Sequence, residues 1–236
     1  MNALIIVLAV IVIILIYTIY YIMTAPVTVA TNLYLKENAT PIDSKKISDP
    51  YSLNYTIGVW IYVDSFTNNI GNFITYGSPG SSSATNANIF SLRFDNSSPT
   101  LYADVAGILT GTETGTPKNT ISITTNFPMQ TWTYVAVSVS TYYADVYLNG
   151  KLVVSKKLQY PSTASSDTTN APTFYFSQNR PDIHITGLSR WGKTLDPQSV
   201  WAYYTKGNGN PSGTGTKYGA AFVLTKDTNN YSWTLF

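Results

Sequence analysis

The chain predicts an all-β antiparallel β-sandwich with one short helix near its C-terminus and an apolar helix at its N-terminus. Three observations carry this. From Tyr51 to Phe236 the sequence consists of short β-rich runs punctuated by Gly, Ser, Thr, Asn and Pro, the texture of strands joined by turns. Two runs meet at Asn149-Gly150, a dipeptide that supplies the positive φ angles of a two-residue type I′ hairpin turn. A single stretch, "LDPQSVWAYY" at residues 195–204, carries a good helix signal within the body. Strands at this spacing with one helix fit a sandwich rather than alternating β and α units.

Residues 1–23 read as a single transmembrane helix. Ala3 to Met23 has no charged side chain, and at ~1.5 Å per residue it spans roughly 31 Å, the thickness of a hydrocarbon core. Tyr17, Tyr20 and Tyr21 gather at its C-terminal end, where amphipathic rings favour the headgroup boundary. A cleaved signal peptide would carry Lys or Arg before a shorter apolar run, and this run has neither feature. A lipid membrane is therefore the expected partner of residues 3–23. Lys36, Lys45 and Lys46 follow the span at some distance, a weak lean towards a cytoplasmic body. Residues 24–50, polar and broken by Pro26, Pro41 and Pro50, read as a stalk, and residues 51–236 as the folded domain.

Within the body, "LNYTIGVWIYV" places Leu53, Tyr55, Ile57, Val59, Ile61 and Val63 on one face of a strand. "NIFSLRF", "TLYADV" and "TISITT" supply further short strands. Trp132 to Ser140 has Val135, Val137 and Val139 on one face and Trp132, Tyr134 and Ala136 on the other. Apolar on both faces, it reads as an interior strand. Its partner follows through Asp145 to the Asn149-Gly150 turn. Asp196 as N-cap, Pro197 at the first helical position and Gly207 as terminator delimit the short helix.

Composition narrows the chemistry. Charged residues make up 11% of the 236, with a formal net charge of +2, and the only paired lysines are Lys45-Lys46 and Lys156-Lys157. Nucleic-acid binding, which needs a clustered basic surface, is not expected. There is no cysteine, hence no disulfide, thiolate metal site or cysteine nucleophile. The two glutamates are Glu37 and Glu113, and the single histidine is His184. Glycosidases need two carboxyl groups flanking the scissile bond, and no such pair is visible. Asp95, Asp104 and Asp145 are isolated and read as turn or edge residues. Asp182 and His184 would share one face of a strand, but no serine-nucleophile motif accompanies them, so His184 reads as a hydrogen-bonded structural residue. No zinc pattern or D-x-D-x-D-G calcium loop occurs. No catalytic, cofactor or metal residue is assigned, and no cofactor is expected. N-x-S/T triplets at Asn38, Asn54, Asn96 and Asn230 are common by chance in so Asn/Ser/Thr-rich a chain.

Three segments carry a family resemblance. "YSLNYTIGVWIYVDSF", "FPMQTWTYVAVSVSTYYADVYLNGKLVV" and "ITGLSRWGKTLDPQSVWAYY", in that order, resemble the opening strand, the W-T-x-V-A-V…N-G-K hairpin and the closing strand-to-helix segment of the laminin G-like, concanavalin A-like jelly roll. The resemblance implies two packed antiparallel sheets and leaves activity open, since the superfamily includes sugar binders, glycosidases, adhesion modules and structural pieces. An anchor ahead of such a domain also resembles membrane-associated virion proteins of large double-stranded DNA viruses. Two non-enzymatic roles follow as expectations. One is a structural or interaction protein packed against protein neighbours, such as a minor capsid protein linking a membrane to a shell. The other is a lectin-like module whose loops 77–88, 107–120, 159–173 and 207–219 form a glycan-binding rim.

Overall fold

The computed structural model describes residues 3–24, 27–37, 40–42, 47, 49–77, 88–108, 117–163, 172–208, 221–226 and 229–234. The N-terminal helix α1 spans Ala3–Thr24. The strands that follow are β1 (Val27–Ala30), β2 (Leu33–Tyr34), β3 (Tyr55–Val63), β4 (Asn72–Gly77), β5 (Asn88–Phe94), β6 (Leu101–Ala106) and β7 (Lys118–Thr124). Then come β8 (Thr133–Val139), β9 (Tyr143–Leu148), β10 (Lys151–Lys157), β11 (Thr173–Phe176), β12 (Ile183–Trp191), helix α2 (Pro197–Thr205), β13 (Ala221–Lys226) and β14 (Asn229–Thr234).

Two antiparallel sheets make the sandwich. The larger, seven-stranded one runs β1-β12-β3-β8-β9-β10, with β2 also paired to β12, and the smaller runs β11-β4-β5-β6-β7. β13 and β14 form a separate two-stranded ladder. The alternation read from the sequence is the one that packs. Tyr55, Ile57, Val59, Ile61 and Val63 of β3 and Val135, Val137 and Val139 of β8 are buried in one core with Phe90, Leu92, Phe94, Leu101, Val105, Ile121 and Phe174 of the small sheet. Each such side chain contributes ~1.5–3 kcal/mol by leaving water.

β8 is buried along its whole length, because its second face is covered too. There α2 lies on the outside of the large sheet, and Tyr134, Ala136, Tyr147, Trp191, Leu195 and Val200 form a second apolar cluster beneath it. Asp196 caps α2 as expected: its carboxylate accepts from Ser199 N–H at 2.9 Å and from the Ser199 hydroxyl at 2.7 Å. Gly207, at φ +79°, donates its N–H to Tyr204 O at 3.0 Å and ends the helix. The β9–β10 turn has φ +49° at Asn149 and +76° at Gly150, the signature expected of type I′.

The segment read as a stalk is instead partly woven into the sandwich. β1 pairs antiparallel with β12, Val27 opposite Arg190 and Ala30 opposite Leu188, while β2 pairs Leu33 with Ile185 and Tyr34 with His184. Val29, Leu35 and Ile47 join the main core. These strands are short and bounded by polar residues, so nothing local marks them; β12 offers an open edge, and closing it satisfies backbone groups on both sides. Only residues 25 and 26 separate α1 from β1.

Side chains of α1 are described over residues 8–18, and large hydrophobics there, Leu8 and Val10 to Tyr17, are 45–67% exposed. Among the described residues no helix is long and apolar enough to cross a membrane.

The sandwich has two unlike ends. At the near end, where the chain enters from α1, β3 and β9 begin and β8, β10 and β12 finish. The small sheet aligns with it: β4 and β6 finish there, and β5, β7 and β11 begin. Backbone bonds tie the two sheets at this end, Ile108 N–H to Pro161 O and Ser162 N–H to Thr141 O, both 2.8 Å. At the far end, Asn69 N–H donates to Asn96 O at 3.0 Å and Gln130 N–H to Val63 O at 2.8 Å.

Candidate functional site

A row of four rings crosses the outer face of the large sheet at the far end. β-pairing sets Tyr34 opposite His184 and His184 opposite Tyr62, and Trp132, just ahead of β8, continues the row. Tyr34 stacks on the imidazole of His184, centroids 4.1 Å apart and planes 1° from parallel. Tyr62 meets His184 edge-on at 6.0 Å and tilts against Trp132 at 5.4 Å. Cross-strand aromatic neighbours of this kind reinforce a sheet. The row is open to solvent in part: all four residues are intermediate in exposure. The next aromatic residues along these strands, Trp60 and Tyr134, are covered by Tyr204 of α2. The helix therefore covers one part of the outer face and leaves this row uncovered.

Two carboxylates border the row. Asp64, immediately after β3, faces His184 Nε2 at 3.0 Å, the side chains 41% and 37% exposed. Asp182, immediately before β12, accepts from Tyr34 Oη at 2.7 Å, Lys36 Nζ at 3.0 Å and Ser65 Oγ at 3.3 Å. The Tyr34 hydroxyl and then Lys36 stabilise its anion and hold Asp182 below the usual carboxylate range. The same bond to Asp182 raises Tyr34 and Lys36.

The sequence reading set Asp182 and His184 on one face of a strand and read His184 as a hydrogen-bonded structural residue. The structure keeps the two close and gives His184 a hydrogen-bond partner, Asp64, 120 residues away in the chain. It also adds Tyr34 and Lys36 from the segment read as stalk. No spacing in the sequence links these residues; strand register alone brings them together. The signal that was available was Tyr62 at the end of β3 with Asp64 two residues on, and Trp132 just ahead of β8.

Ligand atoms of Asp64, Asp182 and His184 lie within 4.8 Å of one another. The donor set suits a divalent cation in kind, but the surroundings oppose one. The Lys36 ammonium and two hydroxyls already surround Asp182, so a cation would have to displace a fixed positive charge. The arrangement suits a neutral polar ligand better. Exposed ring faces offer C–H contacts, and carboxylate, hydroxyl and ammonium groups offer hydrogen bonds at their margin.

The other aspartates named from the sequence are engaged structurally. Asp95 holds its turn as expected, accepting from Ser97 N–H and from the Ser97 and Ser98 hydroxyls. Asp104 departs from the turn-or-edge reading. It lies in mid-strand on β6, is 3% exposed, and is paired with Arg93 Nε at 2.8 Å and Lys118 Nζ at 3.0 Å. Asp145, on the interior strand β9, accepts from Ser155 Oγ. A shallow groove of about 340 Å³ runs beside the start of α2, bordered by Asp145 and Asp196, whose oxygens serve Ser155 and the helix cap. Glu113 and Asn38 lie outside the described residues. Asn54, read as part of a strand, is an exposed residue just before β3.

Most of the four candidate rim loops also falls outside the described residues, at 78–87, 109–116, 164–171 and 209–220. The stems of the first three share the near end of the small sheet, where Gly77 pairs with both Asn88 and Thr173, and Ala106 with Lys118. The fourth begins elsewhere, at Asn208, whose carbonyl accepts from Thr186 Oγ1 at 3.3 Å on the large sheet. A further polar feature supports the near end. Arg190, 1% exposed, donates to Asp49 O at 2.6 Å, Ser52 O at 3.3 Å and Pro50 O at 3.5 Å. Burial lowers its pKa.

Comparison with solved structures returns the same architecture. The chain is similar to the binding domain of Paraclostridial Mosquitocidal Protein 1, with a TM-score of 0.52 and 14% identity over 74% of this chain and 42% of that one. It is also similar to the receptor binding domain of botulinum neurotoxin C/D mosaic serotype, with a TM-score of 0.49 and 13% identity over 71% and 40% of the two chains. The binding domain of botulinum neurotoxin DC in complex with SialylT gives a TM-score of 0.46 and 12% identity over 67% and 37%. The chain thus spans about two fifths of the length of these structures. At such identities the likeness is one of fold. No curated protein matches the sequence. Residues 37–201, more than half of the chain and running from the end of β2 into α2, match the family model of the concanavalin A-like lectin/glucanases superfamily, of laminin G type, and the chain belongs to that superfamily.

Proposed function

We propose that this chain is a membrane-anchored, non-enzymatic recognition module, and that it binds a carbohydrate on the outer-face row Tyr34–His184–Tyr62–Trp132. The observation that carries the reading is the row itself: four partly exposed rings bordered by Asp64, Asp182 and Lys36. Aromatic faces beside fixed hydrogen-bonding groups are what a sugar ring requires. The mosquitocidal relative is described as a binding domain, which agrees with recognition as one use of this fold.

Support for the non-enzymatic part comes from the carboxylates. Asp95, Asp182 and Asp196 are all held below the ordinary range by hydrogen bonds, whereas a general acid needs its pKa raised. Support for the anchor comes from α1, which has no charged residue from Ala3 to Thr24 and whose described apolar side chains are exposed all round. A helix of that kind requires lipid or a protein core around it.

A second reading, packing against a protein neighbour, draws on β10. This strand forms an edge of the large sheet, with Leu152 49% and Val153 45% exposed. The specific version in which the neighbour is a virion shell has no support from the fold or the comparisons. A glycan array probed with the full chain in nanodiscs tests the first reading. A defined glycan set should bind, and Tyr62→Ala or Trp132→Ala should each weaken it about five- to tenfold, the order of one lost ring contact, with the melting temperature little changed. No glycan binding, or binding indifferent to both substitutions, sinks the carbohydrate reading.

A further inference from the structure

We propose that the near end of the sandwich is a lipid-contacting surface, with Tyr142, Tyr143, Lys157 and Lys193 in the headgroup layer. The inference rests on α1 being the membrane anchor. It adds which side of the domain meets the bilayer.

The argument starts from chain length. From Thr24 at the end of α1 to Val27 at the start of β1 the backbone reaches at most about 10 Å. Val27 is opposite Arg190, which is opposite Ile57, which is opposite Val137. The β8–β9 turn continues three residues beyond Val137, to Ser140, and Tyr143 there pairs with Lys157 of β10. At ~3.4 Å per residue this turn extends about 10 Å past the level of Val27. The end of α1 therefore lies within about 10 Å of Val27, at the same end of the domain from which the Tyr142–Tyr143 turn projects.

The chemistry of that turn fits an interface. Tyr142 is 56% and Tyr143 53% exposed, while Tyr55, Tyr76, Tyr134 and Tyr147 elsewhere in the sandwich are buried. Their backbone is held: Leu158 N–H donates to Tyr142 O and Ser162 N–H to Thr141 O, both at 2.8 Å, and Ser140 N–H to Tyr143 O at 2.8 Å. The rings are thus presented outwards by a braced turn. Tyrosine favours the headgroup level, and the sequence of α1 has Tyr17, Tyr20 and Tyr21 in its C-terminal third. Lys157 and Lys193 are exposed at this end, whereas Lys156 Nζ donates to Thr120 O. Asp49 and Asp145 offset part of this positive charge, so the surface is amphipathic rather than strongly basic.

One consequence concerns the glycan-rim expectation. The strand ends that flank residues 78–87, 109–116 and 164–171 are at this same end, the one that faces the bilayer in this arrangement. The ring row at the opposite end is then the part directed away from it.

The absence of native cysteine permits a direct test on the full chain. Tyr142→Cys and Lys193→Cys at the near end, and Asn68→Cys at the far end, are each labelled with a polarity-sensitive fluorophore. The labelled proteins are reconstituted into phosphatidylcholine vesicles containing a shallow spin-labelled lipid. Near-end labels should be blue-shifted and quenched at least about twofold more than the Asn68 label, as interfacial residues are. If the chain floats with vesicles but the two ends are quenched alike, the inference fails and the anchor reading survives. If near-end labels are shielded from aqueous iodide yet not quenched by lipid, a protein covers that end and the inference also fails. If the chain does not float with vesicles, the anchor reading fails and takes this inference with it.

Discussion

Gly150 is held at φ +76° with its α-carbon against α2: a β-carbon there would lie 2.7 Å from Trp201 Cε3 and 3.0 Å from Tyr204 Cδ1. Asn149 secures the same turn, its Oδ1 accepting from Tyr134 N–H at 2.9 Å and its own N–H donating to Tyr134 O at 2.8 Å. Gly150→Val should therefore lower stability by roughly 2–3 kcal/mol, or about 5–10 °C in melting temperature for a domain of this size. Unchanged thermal unfolding would refute the turn assignment. The glycine's conformation was legible from the Asn-Gly pair, but its contact with Trp201 was not, because helix docking is not encoded at the turn. Asp182 makes a second residue-scale case. Its folded pKa lies below the ordinary carboxylate value, so its contribution is present above about pH 4 and is lost as pH falls through the folded value. Asp182→Asn should be less stable than the parent at pH 7, and the difference should shrink in melts taken below about pH 4. A difference that persists undiminished at low pH would show that charge is not the cause. At the alkaline side the sign reverses: Lys36, raised by Asp182, loses its contribution as pH rises through its folded value.

At the scale of elements, strands with strong alternation were legible and weakly marked ones were not. "NIFSLRF" is β5 residue for residue, and the two-faced apolar pattern of Trp132 to Ser140 became a strand buried on both sides. β1, β2 and β11 have two to four residues each, too few for periodicity to register, and they form because neighbouring strands offer unpaired edges. β1 and β2 give the clearest expectation. A chain cut to residues 25–236 keeps both strands and should melt cooperatively. One cut to residues 51–236 loses Val29, Leu35 and Ile47 from the core and exposes the β12 edge, and it should aggregate or melt at least about 5 °C lower, given the area lost. Equal solubility and melting of the two would mean that β1 and β2 contribute nothing to the sandwich. The opposite edge, β10, has Lys151, Lys156 and Lys157 and a bulge between Leu152 and Val154, features that discourage further strand addition.

For the molecule as a whole, the two ends of the sandwich differ in what they bring together. The near end joins α1, collects three loop stems and presents Tyr142 and Tyr143; the far end brings Tyr34, Asp64, Asp182 and His184 together. Local sequence determined the strand alternation, the Asn149-Gly150 turn, the Asp196 cap and the uncharged N-terminal run, since each depends on backbone preference or side-chain periodicity over a few residues. It also specified the superfamily, through three motifs in order. Only the tertiary structure decided that residues 27–35 belong to the large sheet, that His184 pairs with Asp64, that Asp104 is an ion-paired strand residue, and that the loop stems share an end with α1. These are products of strand register and sheet closure, which set Asp104 beside Arg93 and Lys118 on neighbouring strands and bring residues as far apart as Asp64 and His184 together. No local pattern of side chains records that pairing.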